Sequence, residues 1–170
     1  MADSVNEETL RRDLALIARQ EAELVFPSFD ADTAWNLGRA LREAAQARGV
    51  AVAIDIRRGQ DIQFFHAMEG TAPENADWAR RKRNTVELVR RSSYALGLQN
   101  RLNPRTLEEN LALPARDYCC HGGCFPIRVQ GAGHIGTVTV SGLPQREDHN
   151  LVVEVLAKML GKDLGGLRLD

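Results

Sequence analysis

Two pairs of alternating segments, each joined by a short glycine-bearing turn, set the architecture open to this chain. In residues 50–56 the apolar side chains Val50, Val52, Ile54 and Ile56 alternate, and in 62–68 Ile62, Phe64, His66 and Met68 fall on one side. Arg57 to Asp61 between them is short and contains Gly59, so the two strands read as a hairpin. Segments 124–130 and 134–141 repeat the pattern across Gly131-Ala132-Gly133. Hairpins without alternating strand–helix crossovers give an antiparallel sheet, and the remaining periodic segments are helical. The expected fold class is therefore α+β, with helices flanking the sheet.

Leu10, Leu14, Ile17 and Leu24 recur at helical spacing and predict a helix over 7–24, ended by Phe26-Pro27 because proline disfavours helical geometry in the residue before it. Asp30 can cap a second helix with Ala34, Leu37, Leu41 and Ala44 inward and Gly49 as its terminator. A long helix is expected over 74–98, a short one at 106–111, and a last one over 146–160 with Val152, Val155, Leu156 and Met159 as its stripe. No repeat or long linker divides the chain, and one domain over 1–170 is expected.

The charge balance excludes some functions. Lys+Arg 22 against Asp+Glu 23 gives a net charge of -1, which argues against a nucleic-acid partner bound by bulk charge. Aromatics at 5% make a base-stacking platform improbable. No apolar run approaches the ~20 residues of a membrane span, so no membrane partner is expected. The polar, acidic start lacks the apolar core of a signal peptide. All three cysteines fall within 119–124, unlike a disulfide framework, and reduced thiols in the cytoplasm are expected.

Three constellations could carry chemistry. Cys119, Cys120, His121 and Cys124 invite a zinc reading, but no second ligand pair exists elsewhere, and no metal site is expected. Gly122-Gly123 lets the backbone approach a ligand or take up positive φ, and His121 beside them is the best single candidate for a ligand or an acid–base group. Ser141 to His149 joins a strand to a helix N-terminus, where an anion is favoured. There Asp148 can serve as a cap. His149 is either functional or packed, and adjacent helical positions diverge, so the two form no ready dyad. Trp78-Ala79-Arg80-Arg81-Lys82-Arg83-Asn84 is a cationic stretch: either a solvated face, or a place where Arg80 or Lys82 meets a carboxylate or phosphate. His66 reads as a core histidine.

These segments resemble one family. Residues 78–85 with Arg91-Ser92-Ser93, His121-Gly122-Gly123-Cys124-Phe125-Pro126-Ile127, and Ile135 to Pro144 with Glu147-Asp148-His149 are similar to the heme-degrading-domain (GlcG/HbpS-like) family, in its uncharacterised-protein-family branch. The resemblance implies a profilin-like three-layer α/β/α sandwich around a five-stranded antiparallel sheet and assembly into homo-oligomers; because the edges of such a sheet must be covered or paired, a homo-oligomer larger than a dimer is expected. It also implies a small-molecule-binding domain for heme or another tetrapyrrole. Arg80, Lys82, His121, Gly122, Gly123 and His149 are then the cofactor-binding candidates, with His121 the candidate catalytic group. Two alternatives stand beside it: an enzyme acting on a small anionic metabolite through His121, and an oligomeric scaffold or partner-binding protein without catalysis. If the site is shared, His121 should lie in one pocket with at least one of Arg80, Lys82 and His149.

Overall fold

The structure, a computed structural model, describes residues 6–170; residues 1–5, which the expected domain includes, lie outside the described residues. Two helices come first, α1 (Glu7–Glu23) and α2 (Ala31–Ala47), the second capped by the Asp30 carboxylate, which accepts from the Thr33 N–H at 2.8 Å. Then follow the hairpin β1 (Ala53–Arg58) and β2 (Asp61–Ala67), three helices α3 (Pro73–Val89), α4 (Ser93–Leu102) and α5 (Leu107–Leu111), the hairpin β3 (Cys124–Val129) and β4 (Gly133–Ser141), and α6 (Gln145–Met159). The four strands form one antiparallel sheet in the order β2-β1-β4-β3.

Two expectations need correcting. The sheet has four strands among the described residues, not five. A fifth is represented only by Phe26, whose isolated parallel bridge to Val129 uses the Arg128 carbonyl and the Gln130 N–H. The next residue whose backbone would face β3, Ser28, makes no backbone hydrogen bond to it among the described residues, so the pairing stops at one residue. The long helix expected over 74–98 is two helices. Arg90 turns left-handed at φ 56°, its N–H still reaching the Val86 carbonyl, and Ser92 restarts the chain as the cap of α4 by accepting from the Ala95 N–H at 3.2 Å. Apolar periodicity alone hides this break, because Val89 and Leu96 keep helical spacing across it.

Strand alternation gives the sheet two different faces. Ile54 and Ile56 of β1, Val138 and Val140 of β4, and Phe125 and Ile127 of β3 form one apolar core with Leu37 and Leu41 of α2 and Leu151, Val152 and Leu156 of α6. Gly38 belongs to this contact, since a Cβ there would enter the Phe64 ring. The opposite face carries Asp55, Thr137, Thr139, Ser141 and Cys124, and α3 covers it. Asp55 is 2% exposed and is matched by Arg57 and Arg83, each at 2.6 Å. α1 packs on α4 through Leu10, Ile17, Tyr94 and Leu98, a smaller cluster that Leu169 closes.

Burial on the apolar face predicts where truncation hurts. Ile54→Ala should lower the unfolding free energy by about 2–5 kcal/mol in urea denaturation. Leu88→Ala, at a side chain 56% exposed, should stay within about 0.5 kcal/mol of the parent.

Candidate functional site

At one end of the sheet the chain enters β3 through Gly122-Gly123 and leaves β4 through Ser141 to Pro144 into α6. Both glycines are required by close approach. A Cβ on Gly122 would collide with the Gln145 carbonyl oxygen. At Gly123, with φ +128°, it would collide with the Val140 carbonyl and come within 2.8 Å of the Lys82 ammonium. Their immediate role is thus to let three chain segments meet.

Lys82 stands at that meeting point. Its Nζ donates to Asp148 Oδ2 at 2.9 Å and to the Val140 carbonyl at 3.1 Å, with both side chains at most 4% exposed. Asp148 also accepts the N–H groups of Leu143, at 2.9 Å, and Gly142, at 3.4 Å. Burial pushes the Asp148 carboxyl above its usual range, against the pull of Lys82 and of those N–H donors. The anion at this helix start is therefore the protein's own carboxylate.

Two cavities flank this region, and His121 and Gln145 line both. The larger, of about 470 Å³, lies between α4, α5 and the loop 113–121. Leu98, Leu107, Leu113 and Tyr118 give it apolar wall, and Arg81, Arg101 and Arg105 stand on it. The smaller, of about 240 Å³, is bounded by Trp78 and Lys82 of α3, Ser141, and Asp148 of α6. The His121 ring meets Trp78 edge-on at 4.9 Å, and the Arg81 guanidinium sits 4.3 Å from the Trp78 ring centre. Partial burial, and then the charges of Lys82, Arg81 and Arg101, hold the His121 imidazole below its ordinary pKa, so it is neutral at pH 7 and can act as a ligand or base.

The other sequence candidates lie elsewhere. Arg80 faces the loop rather than the sheet: it pairs with Asp77 at 3.0 Å and Asp117 at 2.9 Å and donates to the Arg116 carbonyl. Two positions along a helix turn the side chain by about 200°, so Arg80 and Lys82 face opposite ways. His149 is 1% exposed, between the rings of Tyr94 and Phe125, with Nε2 2.8 Å from Gln20 Oε1. It lines neither cavity that His121 lines. The expected pairing of His121 with Lys82 is present in the smaller cavity; pairing with Arg80 or His149 is not.

The cysteines are free thiols: Cys119 and Cys124 are buried and Cys120 is half-buried, with burial raising the pKa of each. Among the described residues no group of three or more His, Cys, Asp or Glu side chains is placed to hold a metal ion. Arg101 and Arg105 carried no signal in the sequence; Arg81 lies beside Arg80 in the cationic stretch, and Ser141 and Gln145 lie in the Ser141–His149 segment where an anion was expected, although none of the three was named as a lining residue.

His149 gives the protein a pH signature. Burial, with the Arg146 charge, pushes its pKa down to about 3. The unfolded chain then binds the extra proton below about pH 6.5, and stability is lost as pH falls from there toward the folded value. The stability difference between the parent and His149→Gln should shrink by about 1.4 kcal/mol per pH unit below about pH 6, measured by urea denaturation across that range.

Comparison with known proteins follows the same lines. A family model described as haem degrading protein HbpS-like matches residues 29–157. A UPF0303 protein of Paraburkholderia phymatum is 56% identical over 160 residues, covering 94% of this chain and 97% of that protein. The crystal structure of the Ybr137w protein superposes with a TM-score of 0.81 at 27% identity, covering 87% of each chain. The PduOC:heme complex superposes with a TM-score of 0.63 at 20% identity, covering 78% of this chain and 94% of that one, a likeness of fold. The chain belongs to the HbpS-like haem-degrading protein family.

Proposed function

We propose that this member of the HbpS-like family is a small-molecule-binding domain that takes heme or another tetrapyrrole in the larger cavity. The observation that carries the proposal is the convergence in one cavity of the His121 imidazole with three guanidinium groups and an apolar lining, with Glu108 the one carboxylate among its lining residues. Its volume, about 470 Å³, is in the range of pockets that bury a cofactor-sized ligand. His121 would hold the iron, and Arg101 and Arg105, which form no ion pair among the described residues, would meet the propionates. Arg81 is less available, since it donates twice to the Ala115 carbonyl, at 2.7 and 3.1 Å. Bound heme would supply redox-active iron; the chain's own contribution is the imidazole, the cations and a partly dry wall. Family membership and the fold shared with a heme complex support the same ligand class.

Hemin titration tests this. A saturable Soret shift should appear in the parent, vanish in His121→Ala, and weaken about tenfold in Arg101→Ala with Arg105→Ala. A titration without saturation, or an unchanged shift in His121→Ala, would overturn it.

We also propose that the protein is a homo-oligomer larger than a dimer, working in the cytoplasm, where its three free thiols suit a reducing compartment. The support is the outer edge of β2, which pairs with no strand among the described residues and displays Ile62 at 62% and Phe65 at 48% exposure, beside Trp35 at 57%. Light scattering should give a mass well above twice 18.8 kDa, reduced in an Ile62→Asp, Phe65→Asp double variant. A parent mass near that of one chain would refute the assembly.

A further inference from the structure

Between the end of α4 and Pro114 the chain makes an excursion that few interactions join to the rest of the molecule. Pro104 to Ala112 are exposed except Leu107, at 8%, and Leu113 is half-buried. Among the described residues, the one hydrogen bond that segment 104–113 makes outside itself runs from Asn110 Nδ2 to Asn100 Oδ1, at 3.4 Å. Its other hydrogen bonds are internal. They are the Thr106/Glu109 capping box and the N–H groups of Asn110, Ala112 and Leu113, which donate to the Thr106, Glu108 and Leu107 carbonyls.

The seat of Leu107 is hollow on both sides. Arg105 and Leu107 line the larger cavity, and they also line a third hollow, of about 440 Å³, between the segment and α4. A side chain beside empty space lacks the dispersion contacts that hold a packed one. The segment is bounded by Pro104 and Pro114, neither of which can carry a helix onward. Within it Ala112 sits in the left-handed region at φ 53°, a strained conformation for a residue with a Cβ, which unseating relieves. Segments with few buried contacts and exposed backbone open at far less cost than the whole fold.

We infer that residues 104–113 are a lid on the larger cavity: when Leu107 leaves its seat the segment opens between its two prolines, admits the ligand, and closes again over it. The inference rests on the reading of that cavity as the binding site. The segment supplies Arg105, Thr106, Leu107, Glu108 and Leu113 to the wall, so its departure opens one side of the cavity to solvent. It also couples closure to occupancy. Arg101 stays on α4 while Arg105 travels with the lid, and a ligand with two carboxylates joins the two cations and holds the lid shut.

Hydrogen–deuterium exchange, followed residue by residue by NMR on the protein without hemin, tests the lid directly. Five residues are too few to hold a helix in water, so opening exposes the amides of Asn110, Ala112 and Leu113. Urea below the unfolding transition should speed exchange steeply at Val140, inside the sheet, and hardly at all at these three. Leu107→Ala should speed the three lid amides about tenfold or more. The same urea dependence at the lid and at Val140, or lid amides unmoved by Leu107→Ala, would overturn the lid. Where hemin gives its saturable Soret shift, it should slow the three amides about tenfold or more, and bound hemin that leaves them unchanged would overturn closure over the ligand. If hemin does not bind, the tetrapyrrole reading falls, and the urea and Leu107→Ala results still decide whether the lid opens.

Discussion

The buried ion pair between Lys82 and Asp148 holds together the parts of the molecule that make its cavities. It ties the middle of α3 to the first turn of α6, and through the Val140 carbonyl and the N–H groups of Gly142 and Leu143 it fixes the end of β4 between them. The entry to β3 joins the same knot, because the Val140 N–H donates to the Gly123 carbonyl at 2.9 Å and only a residue without a Cβ leaves room beside the Lys82 ammonium. Taking two charges out of water costs several kcal/mol per ion, and an ion pair alone recovers that poorly. Here the carboxylate accepts three hydrogen bonds and the ammonium donates two, which makes the arrangement tolerable. Removing either partner would strand the other in a place nearly closed to solvent.

That knot exists because the sheet is two-faced. The face toward α2 and α6 is filled by aliphatic side chains and Phe125, and it supplies the apolar burial that drives folding. The face toward α3 is polar. Asp55 is matched by Arg57 and Arg83, the Thr139 hydroxyl donates to Cys124 Sγ at 3.1 Å, and the Ser93 hydroxyl accepts from the Cys124 N–H at 3.1 Å. Polar interiors of this kind are stable only when each group is satisfied. On this face the buried Thr137 hydroxyl has no partner among the described residues, and where α3 reaches the end of the sheet Lys82, Ser141 and Gln145 line the smaller cavity. Both cavities thus lie away from the apolar core, at the end of the sheet where the polar face meets the loops.

Much of this was legible in the residues. Alternation located both hairpins, and the sheet they form is antiparallel, as hairpins require. Asp30 marks the start of α2 by residue type alone. The fifth strand was an inference from resemblance, and only a one-residue bridge at Phe26 stands in its place. The break at Arg90 was illegible because a non-glycine residue in the left-handed region leaves no mark in an apolar pattern; only Ser92 hinted at a new cap. His149 and Arg80 show a limit of another kind. Residue type says that an imidazole or guanidinium can bind a ligand, but whether it does depends on which partners folding brings to it. For His149 those were Gln20, 129 positions away, and the ring of Phe125. For Arg80 they were two aspartates.

Arg80 nonetheless bears on the larger cavity, through its wall rather than its ligand. Because α3 stops at Arg90 and α4 turns away to pack on α1, the chain must cross back to reach β3, and residues 113–121 of that return close the cavity. The return is held to α3 by several polar contacts. Arg80 pairs with Asp117, Arg116 with Asp77 at 2.8 Å, Arg81 donates to the Ala115 carbonyl, and Asn84 donates to the Asp117 carbonyl at 2.9 Å. Each contact that is exposed to water is individually weak and screened by salt. Their number and alignment along one helix face nevertheless place the loop in register, and with it His121. The cationic stretch of α3 therefore divides its labour by helical angle: Lys82 turns inward to the buried pair, Arg83 to Asp55, Arg81 to the shared wall of Trp78 and the cavity, and Arg80 outward to the loop that carries His121.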